Sequence, residues 1–414
     1  MPFDNPAKFC RIEFMRINEL IGKRVYIWGM GVEGVAITEF LAKKLPDLKI
    51  GVIENDVVPP DAEVVIKSPG VSIYKDEYKS AIANGVKITT LMNIFFAELY
   101  AQEKRPFVIA ITGTKGKTTT ASMLAFMLTK LGLKAGLGGN IGTPPLDFLG
   151  KDLDYIVLEL SSFQLTDLEL YPDMCQVVSI SPAHIDWHRS YENYKRDKLR
   201  FLQSGKVKSY LCGYDAELKA MNIPNAKFYY KTTLPVPPLK VYGEHNVINM
   251  SGALEIIRDL GLDERRALSF MPEFVPIEHR LEKVHEANGI MFINDSIATV
   301  AESAIAAIRA FAGKPIAIIV GGFDNKSANF GELSKIITDT DDVKIAVGLP
   351  DTGRLVDSPK LHMVENMEQA VAASIKALPN GGVVILSPAA QSFNLYKNYK
   401  ERGHDFAKWT KALS

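Results

Sequence analysis

The residues of this chain best suited to chemistry are Gly113-Thr114-Lys115-Gly116-Lys117-Thr118, with Thr119 directly behind them. Glycines let a backbone wrap closely round an anion, amide N–H groups and a helix N-terminus supply donors, and a lysine neutralises outer phosphates. Thr118 would supply the hydroxyl that helps hold Mg²⁺. Two residues separate the glycines, fewer than in the standard phosphate loop, so an ordinary strand-to-helix turn is the alternative. A second pattern, Gly29-x-Gly31-x-x-Gly34, precedes an acid at Glu54-Asn55. It fits a dinucleotide or nucleotide-diphosphate turn with Glu54 on a ribose, and tight helix–strand packing is the alternative. Glu159 ends the apolar run Tyr155–Leu158, where a carboxylate can reach Mg²⁺; a surface glutamate on a turn is the other reading. His184 and Asp186 follow a further strand. The helix after them carries Lys195, Arg196, Lys198 and Arg200, which by composition is an ordinary basic surface.

Alternating strands and helices must position these residues. Phe107–Ile111 is a short apolar run of the buried parallel-strand kind. Met123, Leu124, Met127, Leu128 and Leu131 recur at helical spacing behind the glycine turn. Residues from Arg24 to Ile53 read as strand, turn, helix and strand, and Lys104-Arg105-Pro106 as a linker. Beyond Phe274-Val275-Pro276 the runs IMFINDS, PIAIIVGGFD, KIAVGL and VVILSPAAQ alternate with helical patterns. The expected fold is α/β in three domains: a Rossmann-like domain over 1–104, a central P-loop mononucleotide-binding domain over 105–275, and a Rossmann-like domain over 276–414.

Lys plus Arg and Asp plus Glu number 48 each in 414 residues, so no overall field attracts nucleic acid and any anionic ligand needs locally placed cations. Cys10, Cys175 and Cys212 are widely spaced, which fits free thiols of a reducing compartment and no disulfide framework. No apolar run is long enough to span a bilayer. These features lead to the expectation of a cytoplasmic, monomeric protein with no membrane or nucleic-acid partner.

GTKGKT, GGNIG, LELSSFQL, HIDWH with its lysine-bearing helix, GEHNVIN, NDS and LSPAAQSFNLYKNYKERG occur in one collinear order. On these motifs the chain resembles the Mur ligase family over essentially its whole length. The C-terminal SPAAQSFNLYKNYKERG, with Ser68–Gly70 and Asn93–Leu99, looks most like members that add D-glutamate to UDP-N-acetylmuramoyl-L-alanine. The resemblance implies an ATP-dependent amide ligase of peptidoglycan precursor synthesis that works through an acyl phosphate. It implies phosphate contacts from Gly113–Thr119, with Lys117 as the phosphate lysine. Thr118, Glu159, His184 and a carbamylated Lys198 would serve two Mg²⁺ sites. Asn246, Asn249, Arg280 and Asp295 match adenine- and ribose-side contacts. Gly29, Met30, Gly31, Val32, Glu54, Asn55 and Ser68 match the uridine diphosphate pocket, displacing a nicotinamide. Asn140, Ser161 and Gln164 match contacts near the reacting end of the acceptor. Thr299, Lys326, Ser392, Phe393 and Tyr399 match the D-glutamate pocket. Two positions depart from the family pattern: Ile297 stands where a lysine is usual, and Tyr399 where a phenylalanine is.

Two other readings compete. One is a related Mur-type or folylpolyglutamate-type ligase with another amino-acid acceptor. The other is a non-catalytic nucleotide-binding protein that keeps the fold, against which the joint presence of Lys117, Thr118, Glu159, His184 and Lys198 argues.

Overall fold

Among the described residues, three β-sheets with helices packed on them form three α/β domains, as the alternating pattern implies. The computed structural model describes residues 15–275, 277–323 and 330–413. The first sheet contains β1 (Val25–Trp28), β2 (Ile50–Ile53), β3 (Val64–Lys67) and β4 (Lys87–Thr90), all parallel in the order β2-β1-β3-β4. The second contains β5 (Phe107–Thr112), β6 (Ala135–Gly139), β7 (Tyr155–Glu159), β8 (Met174–Val177), β9 (Lys208–Cys212) and β10 (Ala226–Tyr229). Its order is β10-β9-β8-β5-β7-β6, again parallel, with β5 and its glycine turn near the middle. A parallel sheet covered on both faces needs strands apolar on both sides. Val108, Ile109, Ala110 and Ile111 of β5 accordingly have no solvent exposure. The helix Lys117–Lys130 covers β5, β6 and β7 and buries Met123, Leu124, Met127 and Leu128 against them.

The third sheet contains β11 (Glu282–Ala287), β12 (Ile290–Asn294), β13 (Ile316–Val320), β14 (Val343–Gly348), β15 (Leu361–Met363) and β16 (Gly382–Leu386). The order is β11-β12-β16-β13-β14-β15, with separate apolar cores on its two faces. β11 and β12 form an antiparallel hairpin, and the other pairs are parallel. Asn288 and Gly289, both at positive φ, make its two-residue turn, the backbone that an Asn-Gly hairpin requires.

The chain groups into two compact units. The first runs to Val236 and resumes over Ile248–Phe270; the second comprises Pro237–Val247 and the chain from Met271 onward. The helix Glu244–Asp259 contributes to both. Among the described residues, no helix is long and apolar enough to cross a membrane.

Candidate active site

In the first unit, the turn after β5 folds as a short phosphate loop does. Gly113 and Gly116 take φ of 148° and 86°, a region open to glycine and costly for other residues. Side-chain space is also closed: a Cβ on Gly116 would lie 2.7 Å from Val178 Cγ1 and 3.0 Å from Asn249 Oδ1. The segment after β8 holds the turn from the other side. Thr114 N–H donates to Ser179 O at 2.8 Å and Lys115 N–H to Ser179 Oγ at 2.9 Å. Thr114 Oγ1 accepts from Ser181 N–H at 3.0 Å and lies 2.7 Å from the Tyr194 hydroxyl. Thr118 and Thr119 sit in the first turn of the helix that follows.

Two lysines converge on this turn. Lys117 Nζ donates to the carbonyl oxygens of Gly113 and Thr114 at 3.0 and 3.1 Å. Lys198 Nζ donates to the same Gly113 oxygen at 3.0 Å. Lys198 is only 2% exposed, so the expected basic surface does not extend to it: its stem lies in the protein and its ammonium lies 5.1 Å from the Tyr194 ring centroid. Burial first, and then the Lys117 charge, holds its ammonium well below the ordinary lysine range.

Glu159, the last residue of β7, is 1% exposed. Its Oε1 accepts from Asn140 Nδ2 at 3.1 Å, while its Oε2 is buried without a hydrogen-bond partner. A buried, unpartnered carboxylate oxygen is costly, and a divalent cation fits it. Gly139 lets the GGNIG turn close over this residue, because a Cβ there would meet Glu159 O at 2.3 Å. His184 takes φ 53° and remains open to solvent. Partial desolvation, then Lys198 and Lys117, lowers the pKa of its ring, favouring the neutral imidazole a metal requires.

His188, which the motif reading passed over, is fully buried. Its Nδ1 lies 2.8 Å from Asp197 Oδ2 and its Nε2 3.0 Å from Ser162 Oγ. The serine–histidine–aspartate order suggests a nucleophilic triad, but Ser162 is 2% and Asp197 3% exposed, so no substrate reaches them. The trio instead ties the Lys198 helix, Tyr191–Leu199, to the helix Ser162–Thr166. Ser161 caps that second helix, accepting from Gln164 N–H at 3.2 Å, while Gln164 Oε1 accepts from Ser161 N–H at 2.8 Å.

Also in the first unit, Gly29, Met30, Gly31, Val32, Glu54, Asn55 and Ser68 lie at the carboxyl ends of β1, β2 and β3, the edge where open α/β sheets bind ligands. Met30, Val32, Glu54 and Asn55 are exposed. Ser68 Oγ donates to Gly29 O, and a Cβ on Gly34 would lie 2.1 Å from that same oxygen. Partly buried Glu33 opens the neighbouring helix, Val32–Lys44, and accepts from Gln164 Nε2 at 2.6 Å. Burial pushes its carboxyl up to about 7.

The second unit holds Asn246, Arg280, Asp295, Thr299, Ser392, Phe393 and Tyr399; Lys326 lies outside the described residues. Asp295 follows β12 and accepts from Leu281 N–H at 3.2 Å and Ser387 Oγ at 2.8 Å. Burial raises its carboxyl to about 7. Arg280 Nε is buried without a hydrogen-bond partner. Thr299 and Phe393 are exposed, Tyr399 is half-buried and Ser392 is buried. Ile297 is half-buried and donates its N–H to His279 O at 3.2 Å.

Arg402, another residue the sequence reading did not single out, is 1% exposed. It donates to Ser296 Oγ at 3.0 Å, Ser296 O at 2.8 Å, Ala390 O at 3.0 Å and Gln391 O at 3.1 Å. One guanidinium therefore fastens the NDS and SPAAQ segments together. Glu278, His279 and His404 bring ligand-type atoms within 4.8 Å of one another, yet the tautomer is wrong for a metal. Asn294 Oδ1 accepts from Ser296 N–H at 3.1 Å, which turns its Nδ2 toward His279 Nδ1 at 2.9 Å. The ring proton is therefore on Nε2.

Comparison with known proteins agrees with these motifs. Residues 111–227 match the Mur ligase middle domain, and residues 279–390 match the Mur ligase glutamate ligase domain. The UDP-N-acetylmuramoylalanine–D-glutamate ligase of Pseudothermotoga lettingae is 33% identical, over 91% of this chain and 90% of that protein. The UDP-N-acetylmuramoyl-L-alanine–L-glutamate ligase of Xanthomonas axonopodis pv. citri is 31% identical, over 95% of this chain and 96% of that protein. Among solved structures, MurF ligase from Thermotoga maritima in complex with ADP superposes with TM-score 0.63 at 15% identity, covering 99% of this chain and 100% of that one. The phosphate turn, the buried lysine beside it and the collinear family domains converge on one conclusion: the chain belongs to the Mur ligase family and is an ATP-dependent amide ligase of UDP-N-acetylmuramoyl peptide precursors.

Proposed function

We propose that the enzyme adds D-glutamate to UDP-N-acetylmuramoyl-L-alanine in cytoplasmic peptidoglycan precursor synthesis. The observation that carries the mechanism is the meeting of Lys117 and Lys198 on one carbonyl oxygen of the glycine turn. Two cations so close are mutually unfavourable until an anion joins them. The γ-phosphate of ATP is such an anion for Lys117. Lys198 instead becomes an anion itself, as a carbamate formed when its neutral amine adds carbon dioxide and releases a proton. Mg²⁺ fits Thr118, Glu159, His184 and that carbamate, and when bound it would neutralise the crowded phosphate and carboxylate oxygens.

The acceptor carboxylate attacks the γ-phosphorus, giving an acyl phosphate and ADP. The glutamate amine then attacks the acyl carbon, a proton leaves nitrogen, and phosphate departs as the amide forms. The loop amides and Lys117 hold the charge that develops on the transferred phosphoryl group. Asn140, Ser161 and Gln164 orient the acyl end, and Gly29–Val32, Glu54, Asn55 and Ser68 take the uridine diphosphate. Asn249 of the first unit serves the nucleotide; in the second unit, Asn246, Arg280 and Asp295 are its nucleotide-side residues. Thr299, Lys326, Ser392, Phe393 and Tyr399 serve the amino acid, in a pocket without the family lysine at position 297.

The relative from Xanthomonas supports a second reading, in which the same acceptor receives L-glutamate. Product formation from ATP and UDP-N-acetylmuramoyl-L-alanine with each glutamate enantiomer separates the two. Amide formed with D-glutamate alone is the expected result. Amide formed with L-glutamate alone would transfer the assignment to the second reading, and amide with neither would overturn both.

A further inference from the structure

Lys67 ends β3 with an ammonium group that solvent does not reach, ion-paired with one carboxylate and hydrogen-bonded to two backbone carbonyl oxygens. Nζ lies 2.6 Å from Oδ2 of Asp167, with both side chains at 0% exposure. It also donates to Val71 O at 2.9 Å and to Ser68 O at 3.3 Å, and lies 5.8 Å from the Trp187 ring centroid. Asp167 ends the helix Ser162–Thr166, and its backbone oxygen accepts from Asn93 Nδ2 at 2.7 Å. Trp187 Nε1 donates to Gly70 O at 3.1 Å, and Ser72 Oγ donates to Trp187 O at 2.8 Å. The carbonyls of Ser68, Gly70 and Val71 are thus all held, by Lys67 or by Trp187. One helical turn before Asp167, Gln164 Nε2 reaches Glu33 in the first helix.

A buried ion pair contributes little stability compared with apolar side chains of the same volume, because desolvating both charges offsets their attraction. Its effect here is geometric. We propose that Lys67, clamped by Asp167, is a positioning residue for the UDP-linked substrate. It holds the Ser68–Val71 turn of the first sheet at a fixed spacing from the helix that carries Ser161 and Gln164. The inference rests on the substrate assignment made above.

Replacing Lys67 alone strands a buried carboxylate, so the informative variant is the double replacement Lys67→Met with Asp167→Leu. It is expected to melt near the wild-type temperature and to keep kcat within about twofold and the KM values for ATP and glutamate, while KM for UDP-N-acetylmuramoyl-L-alanine rises about tenfold. A wild-type KM for that substrate, or a shift of all KM values and kcat together, would overturn the proposal. If the double variant does not fold, Trp187→Phe removes the tie to Gly70 without touching a charge. A selective rise of about threefold in the same KM then supports the proposal, and an unchanged KM overturns it. Wild-type enzyme that forms no amide on this substrate with any amino acid would refute the substrate assignment and the inference with it. An active wild type with an unaffected variant refutes the inference alone.

Discussion

The turns Gly29–Gly34 and Gly113–Thr118 share a backbone device, a parallel strand passing through positive-φ glycine into a helix, yet different side chains flank them, a carboxyl at the first and two lysines at the second. Around the second turn stand Lys117 and Lys198, each hydrogen-bonded to Gly113 O. Around the first stands Glu33, with Gln164 as its partner. The glycines differ in purpose as well. Gly116 takes φ 86°, which frees the loop backbone to face an anion. Gly34 has no such backbone constraint and is needed because a side chain there would strike Gly29 O. The lysines beside the second turn, more than its glycines, single it out for phosphoryl transfer.

Substitutions on either side can break this contrast. Lys117→Ala is expected to have the largest effect, lowering kcat about a thousandfold or more with folding intact, because the transferred phosphoryl group loses its loop cation. Phosphate-release kinetics read this directly, and near-wild-type turnover would remove the chemical role from the turn. Lys198→Ala is expected to lower kcat about a hundredfold, with partial recovery when short-chain carboxylic acids are added to stand in for the carbamate. Undiminished turnover would dispose of the carbamate.

Gly34→Ala is expected to cost about 1–3 kcal/mol in thermal or denaturant unfolding and to raise KM for the UDP-linked substrate, leaving KM for ATP alone. An equal shift in both constants would mean that the two turns are not independent. The smallest effect concerns Glu33. Its folded pKa of about 7 lies above the ordinary 4.5, so the folded state holds a proton that the unfolded state gives up. The associated stability is fully present below about pH 4.5 and is lost as pH rises through about 7. Glu33→Gln should remove this loss, gaining on the wild type by about 3 kcal/mol as pH rises between those limits. Parallel stability–pH curves for the two proteins would contradict it.

Much of this architecture is legible in the sequence, for identifiable reasons. Short apolar runs such as Phe107–Ile111 have the composition of buried strands, and a glycine turn followed by apolar residues at helical spacing marks the start of a helix. The hairpin of β11 and β12 carried a local signal, Asn288-Gly289, although its first strand is too polar to stand out. Lys198 was hidden among basic neighbours because charge spacing on a helix does not tell which lysine points inward. Lys67 and Asp167 each resemble surface residues in their own segments, and only the tertiary fold brings them to 2.6 Å. Arg402 was equally silent, since its four acceptors include three backbone carbonyls that the fold alone brings together.

The central claim is that the Gly113–Thr118 turn activates the acceptor as an acyl phosphate, and oxygen transfer tests it most directly. UDP-N-acetylmuramoyl-L-alanine labelled with ¹⁸O in its carboxylate would be converted with ATP and glutamate, and the released phosphate analysed by mass spectrometry. Transfer of one labelled oxygen to phosphate for each amide formed is the result expected. Unlabelled phosphate accompanying amide formation would contradict the account.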